Sequence, residues 1–441
     1  MSVCETALFV VDAEAGPQPT TVKLWYAAED LRLARAVFVN RLSRPEASFT
    51  TTMGLLQERF GTRLGAVTLP WGEGEDFDGI IDLVRMKARH CNGAEAVESE
   101  IPEEYRAQAE EAHDHLCELV AEADDELMMK YLEGEETLTQ EELEGLLSKA
   151  IAERIFVPVF AGDCIKEQGV NSLMDDIATY FPAPTDYGEM PLIDGDSLKI
   201  SSDDDRPVAF VFKTLADPQQ GRISFIKVLT GTLEPGLELI NARTRKSDRL
   251  AHLYVMCGRD MTEVGHAYAG DIIGVFDPGI FSIGDTITVP GKKFRFGGIP
   301  TFEPEHFMSV SPKDTMKRKQ FVKGTEQIAQ EGAIQIFKMP DSGFEDVVVG
   351  VVGTLQFDVF EYRMKSEYGV ELRMSALPYE HLRLIAECPG DPKDLMFCTG
   401  SKLLEDFKGR KLIAFGGEWS VGFLAKHNPG LVLDDWLTVS K

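Results

Sequence analysis

Three segments of the chain carry side chains whose types and spacing could do chemistry. Two of them, Asn40-Arg41-Leu42-Ser43 and Gly162-Asp163-Cys164, directly follow apolar, strand-like runs. Amide, hydroxyl and carboxyl groups in such loops can hydrogen-bond the edge of a nucleotide base. The third segment concentrates five basic side chains that could bind RNA phosphates: Lys313, Lys317, Arg318, Lys319 and Lys323. The alternatives are an ordinary strand-to-helix turn for the first two segments and a solvated helix face for the third.

Other kinds of catalytic chemistry lack a signature in the sequence. There is no Ser-His-Asp, Cys-His or H-E-x-x-H arrangement, and no G-x-x-x-x-G-K-[ST] phosphate loop anywhere in the 441 residues. Such a loop wraps a triphosphate in backbone N–H groups, and its Lys and Ser/Thr neutralise the phosphates and hold Mg²⁺. The sequence therefore predicts no catalytic residue and no metal ligand in this chain.

Composition narrows the choice of partners and compartment. The net charge of −28 argues against a generally basic nucleic-acid surface, so any RNA contact should be local. Seven cysteines without a C-x-x-C pair favour a reducing cytoplasm, buried thiols and no zinc site. No signal peptide and no apolar run of about 18 residues is visible, which predicts a cytoplasmic protein without a membrane partner.

The elements that must position the first two segments are short apolar strands. The runs 7–12, 36–40 and 155–160 are separated by helical patterns, which predicts parallel strands buried on both faces. Residues 76–150 interrupt this α/β pattern and predict an acidic helical insertion. Its first run, 77–83, is strand-like, and the helical spacing of apolar residues lies in the acidic stretch 98–148. Within it, Thr139 and Glu142 have the spacing of a capping box at a helix start.

Changes of pattern divide the chain into four parts. Residues 1–184 form the α/β part, which Pro182-Ala183-Pro184 ends, and a polar linker follows over 185–206. Period-two alternation with frequent turns predicts a closed β-barrel over 207–290. Mixed helix and strand patterns predict an α+β domain over 291–441, made of one or two small units.

Nearly the whole chain resembles the ribosomal translocation and release GTPases. Residues 1–275 are similar to elongation factor G, and residues 276–441 are similar to peptide chain release factor 3. The first likeness is carried by the strings Ala7–Gln18, Asp78–Leu83, Lys130–Glu135 and Phe212–Pro218. The second is carried by the strings Phe276–Thr286, Phe302–Phe307, Met316–Phe321, Gly353–Phe360 and Glu418-Trp419.

This resemblance implies a multidomain fold and a place of action. The expected order is a truncated α/β P-loop-type GTPase domain with a helical insertion, a β-barrel domain and an α+β C-terminal domain. The family uses GTP and Mg²⁺ and works on the ribosome in release or translocation. Its implied partners are ribosomal RNA, ribosomal proteins of the stalk region and release factors, and the five basic residues become candidate contacts to ribosomal RNA.

The guanine-binding motifs of the family are degraded here. The family has N-K-x-D where this chain has Asn40, Arg41 and Ser43, and G-S-A where it has Gly162, Asp163 and Cys164. In the family pattern the Asp carboxylate accepts hydrogen bonds from guanine N1–H and N2–H₂. Charge-assisted bonds contribute roughly 1.5–3 kcal/mol each, so a serine hydroxyl at that position should lower guanine selectivity. We therefore expect no GTP hydrolysis and no bound nucleotide in this chain.

Three interpretations of the missing family motifs remain open. In one, the active enzyme needs a phosphate loop and switch segments that would lie before Ser2, and the sequence is a truncated gene product. In the second, the chain is a non-catalytic ribosome-binding protein, and in the third it is a nonfunctional fragment. In each case the strand over residues 7–12 should lie at an unprotected edge of its sheet, because the strands that would pair with it are not in the sequence.

Overall fold

The chain folds into two compact units, Met1–Gly188 and Glu189–Lys441. The computed structural model describes residues 1–441 with the exception of positions 2, 93–94, 134–137, 187–188, 193–195, 202–205, 218–220, 259, 291–293, 298, 300, 341–345, 407–408 and 437–441. None of the helices in this described part is long and apolar enough to cross a membrane.

The first unit alternates strands and helices. Its strands are β1 (Thr6–Asp12), β2 (Ala34–Asn40), β3 (Leu64–Ala66), β4 (Thr68–Trp71), β5 (Gly79–Asp82), β6 (Lys87–Asn92), β7 (Glu95–Ser99) and β8 (Val157–Ala161). Its helices are α1 (Pro19–Asp30), α2 (Phe49–Phe60), α3 (Glu103–Ala121), α4 (Asp125–Glu133), α5 (Gln140–Ala152) and α6 (Val170–Tyr180).

A parallel sheet in the order β1-β2-β8-β3 forms the centre of this unit. The prediction of parallel strands is confirmed, and β2 is buried from Ala34 to Val39 because it lies between two neighbours. The edge strand β1 is covered on one face only. Phe9 packs on that face against Trp25 of α1, with ring centroids 5.0 Å apart, whereas Leu8 and Val10 are 40% and 58% exposed.

The predicted insertion over 76–150 starts with strands and continues with helices. The strand predicted over 77–83 is confirmed as β5, and all four of its residues are buried. Strands β4 to β7 pair in sequence as an antiparallel sheet, of which β6 and β7 were not predicted. The first helix of the insertion begins at Glu103, and the acidic residues that suggested a helical surface lie mostly on α3 to α5.

The capping box at the start of α5 is present as predicted. Thr139 Oγ1 accepts a hydrogen bond from the Glu142 backbone N–H at 3.3 Å, and Glu142 Oε2 accepts one from the Thr139 N–H at 2.8 Å. Lys130 also donates to Glu142 at 2.9 Å. The Lys130 hydrogen bond, followed by those from Thr139, lowers the pKa of Glu142 to about 2.

The second unit is rich in strands. They are β9 (Glu189–Pro191), β10 (Ser197–Lys199), β11 (Val208–Asp217), β12 (Gly221–Thr230), β13 (Thr232–Leu233), β14 (Glu238–Asn241), β15 (Ser247–Arg249), β16 (Leu253–Cys257), β17 (Asp260–Val264), β18 (Ala267–Tyr268), β19 (Ile272–Phe276), β20 (Thr286–Thr288), β21 (His306–Pro312), β22 (Gln335–Lys338), β23 (Val347–Val351), β24 (Leu372–Leu377), β25 (His381–Glu387), β26 (Ser401–Asp406), β27 (Lys411–Phe415) and β28 (Val432–Asp435). Its helices are α7 (Arg318–Gln330), α8 (Leu355–Tyr368) and α9 (Glu418–His427).

A β-rich domain occupies the first half of this unit. Eight strands between β11 and β20 form one antiparallel sheet in the order β15-β14-β20-β11-β12-β19-β16-β17. Alternate side chains of β11 and β12, including Val211, Ile226 and Val228, point into its core. The predicted linker over 185–206 contains the β9–β10 hairpin with Leu198 buried, and its positions 187–188, 193–195 and 202–205 lie outside the described residues.

An α+β domain forms the second half. Its eight strands make one antiparallel sheet in the order β24-β21-β23-β22-β26-β27-β25-β28. Helices α7 and α8 share one hydrophobic core through Phe321 and Phe360, and α9 contributes Leu424 to another. The strands in the mixed helix and strand pattern of this half therefore all belong to one continuous sheet.

The prediction of buried thiols is wrong for three cysteines. Cys4, Cys164 and Cys257 are exposed, although the thiols were expected to be buried. Burial of a thiol depends on the packing of neighbouring elements, on which local sequence patterns give no information. In the same unit as Cys4 and Cys164, His113 is half-buried and its Nδ1 lies 2.7 Å from the carbonyl oxygen of Leu83.

Candidate functional site

The first two candidate segments meet at one edge of the parallel sheet. Strands β2 and β8 are direct neighbours, with Val39 opposite Ala161, so their carboxyl ends lie side by side. The loops that follow, residues 40–44 and 162–168, are called here the strand-end loops. Gly162 donates its N–H to the Val39 carbonyl at 3.0 Å, which continues the strand pairing into these loops.

Asn40 connects the two strand-end loops through its side chain. Its Oδ1 accepts a hydrogen bond from the Arg41 N–H at 2.8 Å and another from the Cys164 N–H at 3.0 Å. The amide therefore organises the backbone of both loops. The Cys164 thiol itself is exposed to solvent.

Asp163 is the centre of the contact between the loops, and its side chain is fully buried. Its Oδ2 accepts hydrogen bonds from Ser43 Oγ at 2.6 Å and from the Ser43 N–H at 3.2 Å. Its Oδ1 accepts from the N–H groups of Ile165 at 2.8 Å and Lys166 at 3.0 Å. Burial alone would raise the pKa of Asp163, but the hydrogen bonds from Ser43 and from the backbone outweigh it and lower the pKa.

Gly162 is required by the close packing of its own loop. A Cβ atom on this residue would lie 2.5 Å from the Phe38 ring of β2 and 2.7 Å from the Gln168 carbonyl oxygen. Gln168 in turn exchanges backbone hydrogen bonds with Asp163, at 2.9 and 3.0 Å. A side chain at position 162 would therefore displace the Phe38 ring or open the turn that Asp163 and Gln168 close.

Arg41 is held by a residue that sequence reasoning missed. Its backbone has a φ of +67°, and its guanidinium lies 2.7 Å from Oδ2 of Asp12, the last residue of β1. Asp12 Oδ1 also accepts from the N–H groups of Glu14 and Ala15. A signal for the involvement of Asp12 was present, because Asp12 is the last residue of β1 as Asn40 is the last residue of β2. The two residues lie opposite each other in the paired strands.

The hydrogen-bonding groups of the two candidate motifs do not fit a guanine base. A guanine reader needs a carboxylate that can accept from the base, and the only carboxylate in the two candidate motifs is Asp163. Its two oxygens already accept four hydrogen bonds from the protein. Among the described residues there is also no group of three or more His, Cys, Asp or Glu placed to hold a metal ion.

The third candidate segment surrounds the start of α7. Asp314 caps a short 3₁₀ turn, Thr315–Lys317, by accepting from the Met316 N–H at 2.9 Å, and α7 continues from it. The helix buries Phe321 and Ile328, so the opposite side faces solvent. All five predicted basic residues are exposed: Lys313, Lys317, Arg318, Lys319 and Lys323.

Tertiary structure adds two further cations to this surface. Strand β24 pairs with β21, which places Arg373 opposite Ser311, two residues before Lys313. Lys313 and Lys365 approach the same carboxylate, that of Glu371, at 3.6 and 3.7 Å. Arg373 and Lys365 are distant from α7 in sequence, and no local pattern marks them. These seven cations, Lys313, Lys317, Arg318, Lys319, Lys323, Lys365 and Arg373, are called here the basic surface.

Known proteins resemble the chain along nearly its whole length. Residues 1–183 match the elongation factor Tu GTP binding domain, residues 206–290 match elongation factor G domain 2, and residues 296–425 match the C-terminal domain of class II release factor RF3. Peptide chain release factor 3 of Symbiobacterium thermophilum is 33% identical over 444 residues, which cover 98% of this chain and 80% of the relative.

A solved structure gives the same result for the fold. A crystal structure of a protein from Thermus thermophilus superposes with a TM-score of 0.73 at 27% identity. The match covers 89% of this chain and 58% of the solved one, so this chain spans a little over half the length of that structure.

Proposed function

Because the chain belongs to the translational GTPase family of the release factor 3 and elongation factor G type, we propose that it binds the ribosome as a translation factor without hydrolysing GTP. It works in release or translocation, in the cytoplasm. Its partners are ribosomal RNA, ribosomal proteins of the stalk region and release factors.

The basic surface is the observation that carries this proposal. Seven exposed or half-exposed cations gather around the start of α7 in a chain whose net charge is −28. Such a cluster runs against the overall negative charge of the chain, and Glu371 pairs with Lys313 and Lys365 within it. Lysine and arginine groups arranged in this way bind the phosphate backbone of RNA, and neutralising phosphates releases counterions.

The loss of hydrolysis is supported by the strand-end loops. GTP and Mg²⁺ belong to the family, and tight binding would require a carboxylate able to read guanine. Asp163 is occupied by Ser43 and the backbone, and Arg41 is held by Asp12. We therefore assign no step of a GTP reaction to the residues of this chain.

Charge reversal within the basic surface tests ribosome binding. The double change Lys317→Glu/Lys319→Glu should weaken co-sedimentation with ribosomes, because two phosphate contacts become repulsive. The slope of log binding constant against log salt concentration should flatten by about one unit per lost contact. The control is Lys402→Glu/Lys426→Glu, which makes the same change of charge at two exposed positions of the same unit. Equal binding of both double variants would contradict the proposal.

Ribosome-dependent turnover tests the second half of the proposal. Purified chain mixed with ribosomes and GTP should release no more phosphate than ribosomes alone. Sustained release that depends on the amount of chain added would show that it is an active GTPase.

A further inference from the structure

Ser43 and Asp163 are in contact and carry the two residue types of the family pattern in exchanged positions. N-K-x-D places a carboxylate in the first strand-end loop, and G-S-A places a hydroxyl in the second. This chain has the hydroxyl at position 43 and the carboxylate at position 163. In this chain the two groups are hydrogen-bonded across the loops, at 2.6 Å, and each belongs to the loop opposite to the one that the family pattern gives it.

We infer that Ser43 and Asp163 are an exchanged pair that closes the guanine-base site and holds the strand-end loops together without a nucleotide. This inference deepens the proposed function, on which it rests for the family comparison. We call the contact of Ser43 Oγ and N–H with Asp163 Oδ2 the interloop clamp.

The exchange places the carboxylate in a buried, hydrogen-bonded position. From position 163 the carboxylate is fully buried and receives four hydrogen bonds from Ser43, Ile165 and Lys166. An ionised group in such a place is stabilised by these donors and would lose all of them on turning outward to a ligand. The carboxylate is therefore a structural acceptor.

The Ser43 hydroxyl is also occupied by a hydrogen bond within the protein. Ser43 Oγ gives its single proton to Asp163, so only its lone pairs remain for another partner. A guanine edge presents two N–H donors, and a neutral hydroxyl oxygen does not match them as a carboxylate does. The exchanged pair therefore keeps the connection between the loops and removes the base reader.

Other hydrogen bonds also hold the two strand-end loops against each other. The Asn40 amide accepts from Cys164 N–H across the loops, and Leu42 donates its N–H to the Gly162 carbonyl at 3.4 Å. Lys166 extends its ammonium group to the Phe77 carbonyl at 3.2 Å. The loops are thus connected at several points by the protein alone.

Single and double substitutions at positions 43 and 163 of the full chain test the interloop clamp. Asp163→Asn and Ser43→Ala should each raise amide hydrogen exchange in peptides spanning 41–48 and 163–170, by about tenfold for Asp163→Asn, because the three N–H donors lose a charged acceptor. Ser43→Asp alone should raise exchange further, since it places two carboxylates against each other. Ser43→Asp together with Asp163→Ser should restore protection to near that of the parent chain.

The inference would be overturned if the effects of the substitutions at positions 43 and 163 on amide hydrogen exchange were strictly additive. It would also be overturned if amide hydrogen exchange were unchanged in both Asp163→Asn and Ser43→Ala. If Ser43→Asp prevents folding, as judged by circular dichroism, the milder Ser43→Ala and Asp163→Asn pair still decides the outcome. Rescue of folding by the double exchange would then support the clamp directly.

Nucleotide binding gives an independent readout. Calorimetric titration of the parent chain with GDP, and with ADP as control, should give no heat of binding up to about millimolar concentration. A guanine-specific micromolar dissociation constant would overturn the closed site. The clamp variants Ser43→Ala and Asp163→Asn should co-sediment with ribosomes like the parent chain, so failure of the clamp and failure of ribosome binding are distinguishable.

Discussion

At the scale of single residues, buried carboxylates in this chain behave in two opposite ways. Asp163 receives four hydrogen bonds that keep it ionised. Asp176 on α6 is equally buried, but its environment is less favourable to charge. It lies beside Asp82, and both carboxylates share Arg85, whose Nη1 is 2.9 Å from Asp82 Oδ2 and 3.3 Å from Asp176 Oδ1. Burial and then the Asp82 charge raise the pKa of Asp176 to about 6, against the pull of Arg85 and Arg89.

Asp176 should therefore make stability depend on pH. Because its folded pKa of about 6 exceeds the unfolded value of 3.8, its contribution is fully present below pH 3.8 and is lost as pH rises through 6. In Asp176→Asn this dependence should disappear. The free energy of unfolding of the variant relative to the parent should thus rise by up to about 3 kcal/mol between pH 4 and pH 8.

Urea unfolding at a series of pH values measures this difference. The control is Asp175→Asn, an exposed neighbour on the same helix. A difference between Asp176→Asn and the parent that stays constant with pH would show that Asp176 does not bind a proton in this range.

At the scale of elements, the edge strand β1 is the most exposed part of the parallel sheet. In the described part of the chain it pairs with β2 only, as the prediction of an unprotected edge required. Leu8 and Val10 leave apolar surface beside its open backbone groups, and neither a charge nor a proline separates them. Strands of this kind pair readily with other chains.

A charge on β1 should reduce self-association. Val10→Lys should lower light scattering of concentrated protein with little change in stability, because the side chain is already 58% exposed. Met174→Lys is the matched control: it adds the same charge at an exposed apolar position of α6, away from the edge. If both variants lower scattering equally, net charge and not the strand edge controls association.

At the scale of the whole molecule, a nucleotide that does not bind cannot stabilise the fold. A ligand raises the free energy of unfolding by RT ln(1 + [L]/Kd), so 1 mM GDP with a millimolar or weaker Kd adds at most about 0.4 kcal/mol. We expect the thermal unfolding midpoint of the full chain to be the same with 1 mM GDP and Mg²⁺ as without them. A shift of several degrees with GDP but not with ADP would contradict a closed base site.

The sequence by itself determined the succession of domains and most of the elements that position the candidate sites. The parallel strands follow from apolar runs at 7–12, 36–40 and 155–160, because a strand buried on both faces needs apolar residues throughout. The capping box at Thr139 and the exposed basic helix start at Lys317 are equally local. Each such signal is contained within a few consecutive residues.

Only the tertiary structure decided which of these groups meet and what they are free to do. Ser43 and Asp163 are 120 positions apart in the sequence, and they are in contact because β2 and β8 are neighbours. The same holds for Arg373, which β24 brings to the basic surface. Hydrophobic periodicity reports on neighbours two to four residues apart, whereas partners in hydrogen bonds across a fold depend on strand pairing and burial, which no local pattern encodes.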